Sequence, residues 1–163
     1  MSASGNAAAF TVARTVGRDW VDYNGHMGDY AYAIAFSEAV TAYMDEIGLG
    51  PAYREATGGT LYTLDFRIGY RKECHEGDEL KIQGHVLEHD ARRLHVYLEM
   101  LNGAGELLAW NQQVLLHVSR AAGNPKAAPF PQTVAARLVS DAGLAVSVEP
   151  VKDTRYLIGL KRS

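Results

Sequence analysis

What most limits how this chain can fold is a change in the period of its apolar residues. From Gly28 to Gly48 they recur at the helical spacing, with Tyr32, Phe36, Ala39, Val40, Tyr43 and Ile47 on one stripe. Ala31, Ala33, Ala35 and Ala42 make much of the remaining circumference small and apolar, so the helix is expected to be enclosed by protein on most sides. Gly48, Gly50 and Pro51 end it. Downstream the period falls to two. Thr60 to Arg71 sets Tyr62, Leu64, Phe66, Ile68 and Tyr70 on one face. After the turn at Gly77-Asp78, a strand buries Leu80, Ile82, Gly84 and Val86, and the next buries Leu94, Val96, Leu98 and Met100. Asn102-Gly103 supplies a hairpin turn, and Leu108, Trp110, Gln112, Val114, Leu116 and Val118 share a face of the last strand. Phe10 to Val16 alternates well enough to be a first strand. The expected order is strand, long helix, then four strands in a meander. An α+β solution follows, in which a curved antiparallel sheet of five strands wraps one long central helix. Open sheet edges then favour pairing with a second subunit.

A chain of 163 residues suits one compact domain that buries roughly 70% of its unfolded surface. Residues 1–9 read as a frayed start, 10–119 as the folded unit, and 120–163 as an extension packed on it, with a short helix over 133–142 ended by Gly143. A hydrophobic fraction of 47% against 21% charged residues sets disorder aside. The net charge of −3 argues against a nucleic-acid partner. No apolar run approaches the ~20 residues that span a bilayer, because Ser37, Glu38, Thr41, Asp45 and Glu46 break the longest candidate. The start lacks the pattern of a secretory signal, and the lone Cys74 cannot form an internal disulfide; both lead to the expectation of a cytoplasmic protein.

The chemistry is concentrated at Asp22-Tyr23-Asn24-Gly25-His26-Met27, which runs directly into the helix. A helix start exposes unpaired N–H groups and the positive end of its dipole, both able to hold a developing oxyanion. A carboxylate beside them is placed to attack a carbonyl or to activate water.

This order of elements with this loop resembles the hotdog fold, and within it the 4-hydroxybenzoyl-CoA thioesterase-like family of acyl-CoA thioesterases. Asp22-Tyr23-Asn24-Gly25-His26 is similar to the family's aspartate, two variable residues, glycine and histidine, with Tyr32 where its first helix has an aromatic. Tyr70-Arg71-Lys72 through Gly77-Asp78-Glu79-Leu80 resembles its strand, turn and strand segment. The longer strings 19–26, 92–97 and 115–118 are similar to the betainyl-CoA thioesterase branch, linked to carnitine breakdown. One departure stands out: many members have two asparagines where this chain has Gly28-Asp29. The added charge favours the helix dipole and opposes an anionic acyl group.

The resemblance implies hydrolysis of a small polar acyl-CoA, with betainyl-CoA favoured, in a homodimer or dimer of dimers. Coenzyme A is part of the substrate, and no other cofactor, metal or membrane is expected. Asp22 is then the carboxylate, as nucleophile or general base, although Asp also caps turns and helices. Asn24 positions water or thioester, or makes an Asx turn. His26 polarises the carbonyl or holds the loop. Gly25 allows a sharp turn or close ligand approach, with Met27 beside it. The oxyanion donor is the backbone amide near Asp29, and Glu38 on the helix is a minor second carboxylate. Tyr23, Tyr30, Tyr62 and Trp110 are candidates for an aromatic box, or simply core. Arg71, Lys72, Arg92 and Arg93 are candidates for the CoA phosphates. His85 and His89 stand ~13 Å apart on a strand and cannot share one ion. Cys74-His75 is not a nucleophile pair by adjacency alone. Two rivals remain: a hotdog hydratase, whose motif sets its histidine one residue further on, and a non-catalytic acyl-CoA-binding domain.

Overall fold

The structure, a computed structural model, describes residues 7–151. The expected frayed start therefore falls largely outside the described residues, as do residues 152–163 of the extension. The long helix α1 spans Asp29–Glu46, and its Ala31, Tyr32, Ala35, Phe36, Ala39, Val40 and Tyr43 are all buried. Around it curls an antiparallel sheet of β1 (Phe10–Thr15), β2 (Gly59–Tyr70), β3 (Glu79–His89), β4 (Arg93–Leu101) and β5 (Leu107–Ser119). A two-residue β6 (Lys126–Ala127) is added against β5. This is the curved sheet on one long helix that the periodicity anticipates and the hotdog fold that the resemblance implies, although the helix is less enclosed than expected, with Ile34 and Ala42 exposed.

The strand order is β1-β3-β4-β5-β2, so only β3 to β5 form a meander. β2 lies on the far side of β5, and the chain must cross the end of the sheet to begin β3. Three strand spacings amount to ~14 Å, which the eight residues 71–78 can span and a tight hairpin cannot. Both Arg71 and Lys72 donate their N–H to the Leu108 carbonyl, at 2.9 and 3.0 Å, and Gly77 then docks on Val16 beside β1. This crossover forms one wall of the site.

Two expected faces are corrected. A bulge between Thr63 and Asp65 shifts the register of β2 on β5, so Leu61 and Phe66, of opposite parity, both pack on the core. Tyr62 consequently faces away from Phe66, Ile68 and Tyr70, and Leu64 is exposed. On β5 the partners of the core residues Met100, Leu98, Val96 and Leu94 of β4 are Ala109, Asn111, Gln113 and Leu115, which places Trp110, Gln112, Val114 and Leu116 on the outer face. The two buried amides on β5 are held by hydrogen bonds: Asn111 Nδ2 donates to the Arg67 carbonyl and Gln113 Nε2 to Asn111 Oδ1, each at 2.9 Å.

A second helix, α2 (Pro51–Thr57), follows where the sequence reads as a stop. Pro51 sits at its first position, where proline is tolerated because that N–H is unpaired anyway. The last helix, α3 (Gln132–Leu144), runs through Gly143, and its Val134 and Leu138 join the main core. Among the described residues no helix is long and apolar enough to cross a membrane.

Candidate functional site

The loop 21–28 is closed by its own backbone. Asp22 N–H donates to the His26 carbonyl at 2.8 Å, and Gly25 N–H to the Asp22 carbonyl at 3.0 Å. Gly25 adopts φ 80°, a left-handed conformation that strains any residue with a Cβ. Met27 N–H donates to the Cys74 carbonyl at 2.8 Å and Gly28 N–H to Trp20, which ties the loop to the crossover and delivers the chain to the start of α1.

Asp22 both caps a turn and faces a cavity. Its Oδ1 accepts the Asn24 N–H at 2.8 Å and, more weakly, that of His26 at 3.4 Å. Oδ2 has no protein partner among the described residues. Asp29 is the first residue of α1, and its N–H likewise has no acceptor among them. Both residues line a shallow cavity of about 330 Å³. Its other walls are His26 and Met27 from the loop, Tyr32 from α1, and Tyr70, Arg71, Lys72 and Glu73 from β2 and the crossover.

His26 Nε2 lies 3.4 Å from Glu73 Oε2, and its ring meets the His75 ring edge to face at 5.0 Å. Ligand atoms of His26, Glu73 and His75 fall within 4.8 Å of one another, so these three could hold a metal ion. Lys72 Nζ is paired with Glu106 at 2.6 Å. Tyr32 and Tyr70 stand perpendicular with centroids 5.2 Å apart. The Tyr32 hydroxyl donates to the Lys72 carbonyl at 3.1 Å, that of Tyr70 to the Asp29 carbonyl at 3.3 Å. Burial raises both phenols above their ordinary value, and the Asp29 charge adds to the shift at Tyr70.

The remaining sequence candidates are placed elsewhere. Tyr23 is 97% exposed, Asn24 is exposed beside it, and Tyr30 donates to the Asp19 carbonyl at 3.2 Å; none lines the cavity. Tyr62 lies on the outer face and accepts from Arg120 at 2.7 Å, and Trp110 packs on that same face against Gly69. The expected aromatic box is therefore not assembled, because the bulge in β2 turns Tyr62 outward and the β5 register does the same to Trp110. Glu38 is paired with Arg14 at 3.1 Å, ~13 Å along the helix from Asp29. Arg93 pairs with Asp90 at 2.6 Å, opposite Leu116, whereas Tyr70 lies opposite Ala109. Those positions on β5 are ~23 Å apart, so the structure does not bring Arg92 and Arg93 to the cavity. Glu73 and Tyr70 were missed by sequence reasoning. The string Tyr70-Arg71-Lys72 carries the signal, since those residues immediately precede Glu73.

A larger cavity of about 480 Å³ opens between α1 and α2, near Met44, Leu49, Pro51 and Arg54. It is the more apolar of the two; no imidazole lines it, and the helix start that does is Pro51, which has no N–H to offer an oxyanion, so the chemistry favours the smaller one.

A curled sheet around one long helix, with Asp22 and the start of that helix lining one cavity, is the arrangement of the hotdog fold to which many thioester hydrolases belong. Comparison with known proteins agrees. Residues 16–138 match the thioesterase-like superfamily. The chain belongs to that family, and acyl-CoA thioester hydrolysis is its activity. It is 41% identical to a betainyl-CoA thioesterase of Pseudomonas aeruginosa over 74% of this chain and 75% of that one. It is also 36% identical to an L-carnitine dehydrogenase/betainyl-CoA thioesterase of Ruegeria pomeroyi, over 77% of this chain and 25% of that longer protein. Among solved structures, the hypothetical protein SAV2348 of Staphylococcus aureus in complex with CoA superposes with a TM-score of 0.85 at 25% identity, covering 93% of this chain and 95% of that one.

Proposed function

We propose that the chain hydrolyses betainyl-CoA, or a close small cationic acyl-CoA, to the free acid and coenzyme A. The observation that carries this reading is that Asp22, whose Oδ2 has no partner among the described residues, and Asp29, whose N–H has none, line one cavity. The Asp29 amide holds the carbonyl oxygen as charge develops on it. Asp22 delivers an oxygen to the carbonyl carbon, either its own or that of a water it deprotonates. The C–S bond breaks, the thiolate of coenzyme A leaves and takes up a proton, and water supplies the second oxygen of the acid. His26, held against Glu73, is placed to polarise the carbonyl or to return that proton. Protein groups and water suffice, with coenzyme A entering as part of the substrate. Arg71 and Lys72, which line the cavity next to the crossover, are assigned to its phosphates. Asn24 and Gly25 act by shaping the loop that presents Asp22.

Pairing through β2 gives a homodimer or a dimer of dimers. β2 is a twelve-residue edge strand with Leu64 56% exposed, the kind of edge that seeks a second copy. In this reading the reaction is a cytoplasmic step of carnitine breakdown; the L-carnitine dehydrogenase in the name of the Ruegeria relative supports the link to carnitine.

The test is Asp22→Asn. Release of free coenzyme A from betainyl-CoA should fall by at least ~10³-fold while the variant melts like the wild type, in line with the loss of a catalytic carboxylate. Undiminished turnover would remove Asp22 from the mechanism.

A further inference from the structure

We propose that Asp29 and Tyr70, with Tyr32 behind them, form a subsite for a quaternary ammonium group on the acyl chain. The proposal rests on the thioesterase reading above and names the part of the cavity that selects the substrate.

A trimethylammonium group has no N–H to donate, so hydrogen bonds cannot recognise it. Aromatic faces and carboxylate charge can. The perpendicular rings of Tyr32 and Tyr70 form two walls of a corner. Tyr32 is 4% exposed and its hydroxyl is tied to the crossover at Lys72, so that wall is fixed. Tyr70 is 52% exposed and offers ring surface to the cavity, while its hydroxyl bond to the Asp29 carbonyl holds it beside the helix start.

Asp29 supplies the charge. Its Oδ1 takes the next N–H of the helix, that of Tyr30, at 2.9 Å, and its side chain lies exposed along the cavity. A betainyl group has one methylene between its carbonyl carbon and its nitrogen. A carbonyl oxygen held at the Asp29 N–H therefore leaves the ammonium within reach of the same residue's carboxylate. The charge balance points the same way. Asp22, Asp29 and Glu73 face the cavity against Arg71 and Lys72, and Lys72 is already neutralised by Glu106. An anionic acyl group is disfavoured here, and a neutral one gains nothing from the carboxylate.

The experiment compares kcat/KM for betainyl-CoA with that for 3,3-dimethylbutyryl-CoA, which has the same shape with carbon in place of the charged nitrogen. Wild type should favour the cation. Asp29→Asn, which keeps the backbone amide, and Tyr70→Leu should each shrink that preference roughly three- to thirtyfold. Melting curves confirm that each variant is folded, and either variant alone is sufficient. An unchanged ratio in the folded variants, or a wild type indifferent to the charge, overturns the subsite and leaves the thioesterase reading standing. A wild type that hydrolyses other thioesters but not betainyl-CoA defeats the substrate reading, and the subsite with it.

Discussion

Replacing Asp141 by alanine removes a buried acceptor that ties α3 to α1. Tyr43 is 1% exposed and donates to Asp141 Oδ2 at 2.6 Å, and Arg137 Nε lies 3.0 and 2.9 Å from the two carboxylate oxygens. Burial, then the carboxylate, raise the Tyr43 phenol, consistent with a hydroxyl that stays a donor. Truncation orphans that hydroxyl in the core, at a cost of ~1–3 kcal/mol, nearer the top because the lost bond was to a charged group. Arg137 is about a third exposed and keeps Glu46 at 2.6 Å, so it rehydrates and adds little. The total is about 2–3 kcal/mol, or roughly 5–10 °C of melting temperature in a chain of this size. Calorimetry on the wild type, Asp141→Ala, Tyr43→Phe and the double variant measures it. The double variant should fall short of the sum of the singles by at least ~1 kcal/mol, since both remove one bond. Tyr43 is ~21 Å along the helix from Asp29, so kcat/KM well below the melting point should match wild type. A shift under ~1 °C, or strict additivity, would refute the argument.

Three further outcomes are expected. Gly25→Ala meets no atom within 4 Å, so its whole penalty is the φ of 80°, ~1–2 kcal/mol; turnover should drop while Gly25→Asn, tolerant of that conformation, retains most of it, and wild-type rates for the alanine variant would count against the loop geometry. His85 is 4% exposed, its Nδ1 has no hydrogen-bond partner among the described residues, its ring lies against Tyr97, and burial lowers its pKa despite Glu99. The neutral ring is tolerated fully above its ordinary value near 6.5, and stability is lost as pH falls from there through the depressed folded value. Urea unfolding at pH 8 and pH 5.5 should show that loss in wild type and not in His85→Phe. The exposed Asp90, held down to about 2 by backbone and Arg93 donors, acts only in a lower window, below about 3.8. Arg71→Ala should raise KM for CoA thioesters by roughly tenfold and leave N-acetylcysteamine thioesters, which lack the phosphates, unaffected; equal effects on both would place Arg71 at the acyl end instead.

The helix and the strands were legible because their apolar periods are long and clean, as in Tyr32 to Ile47 and Leu94 to Met100. Strand order was not. A period of two tells which face is buried but not which neighbour a strand pairs with, and the crossover 71–78 could be mistaken for a turn ending at Gly77-Asp78. The bulge at Leu64 was equally hidden, since one inserted residue exchanges faces without disturbing the alternation on either side. That single shift explains why Tyr62, which the alternation sets on the same face as Tyr70, lies on the opposite one. On β5 the apolar run Val114 to Leu116 hid the fact that Asn111 and Gln113 satisfy each other in the core. The Asp22 loop was readable because its residues are contiguous. Glu73 joins it through the Met27 to Cys74 bond and its own contact with His26, both between distant parts of the sequence.

The chain's single cysteine carries a practical consequence. Cys74 is fully buried, its sulfur accepts the Tyr32 hydroxyl at 3.4 Å, and burial pushes its thiol toward the protonated form. Only a thiolate attacks disulfide or maleimide reagents at a useful rate. A colorimetric reagent added during turnover should thus register the liberated cofactor with almost no background from the enzyme, and repeated alkylating treatment should leave the protein intact.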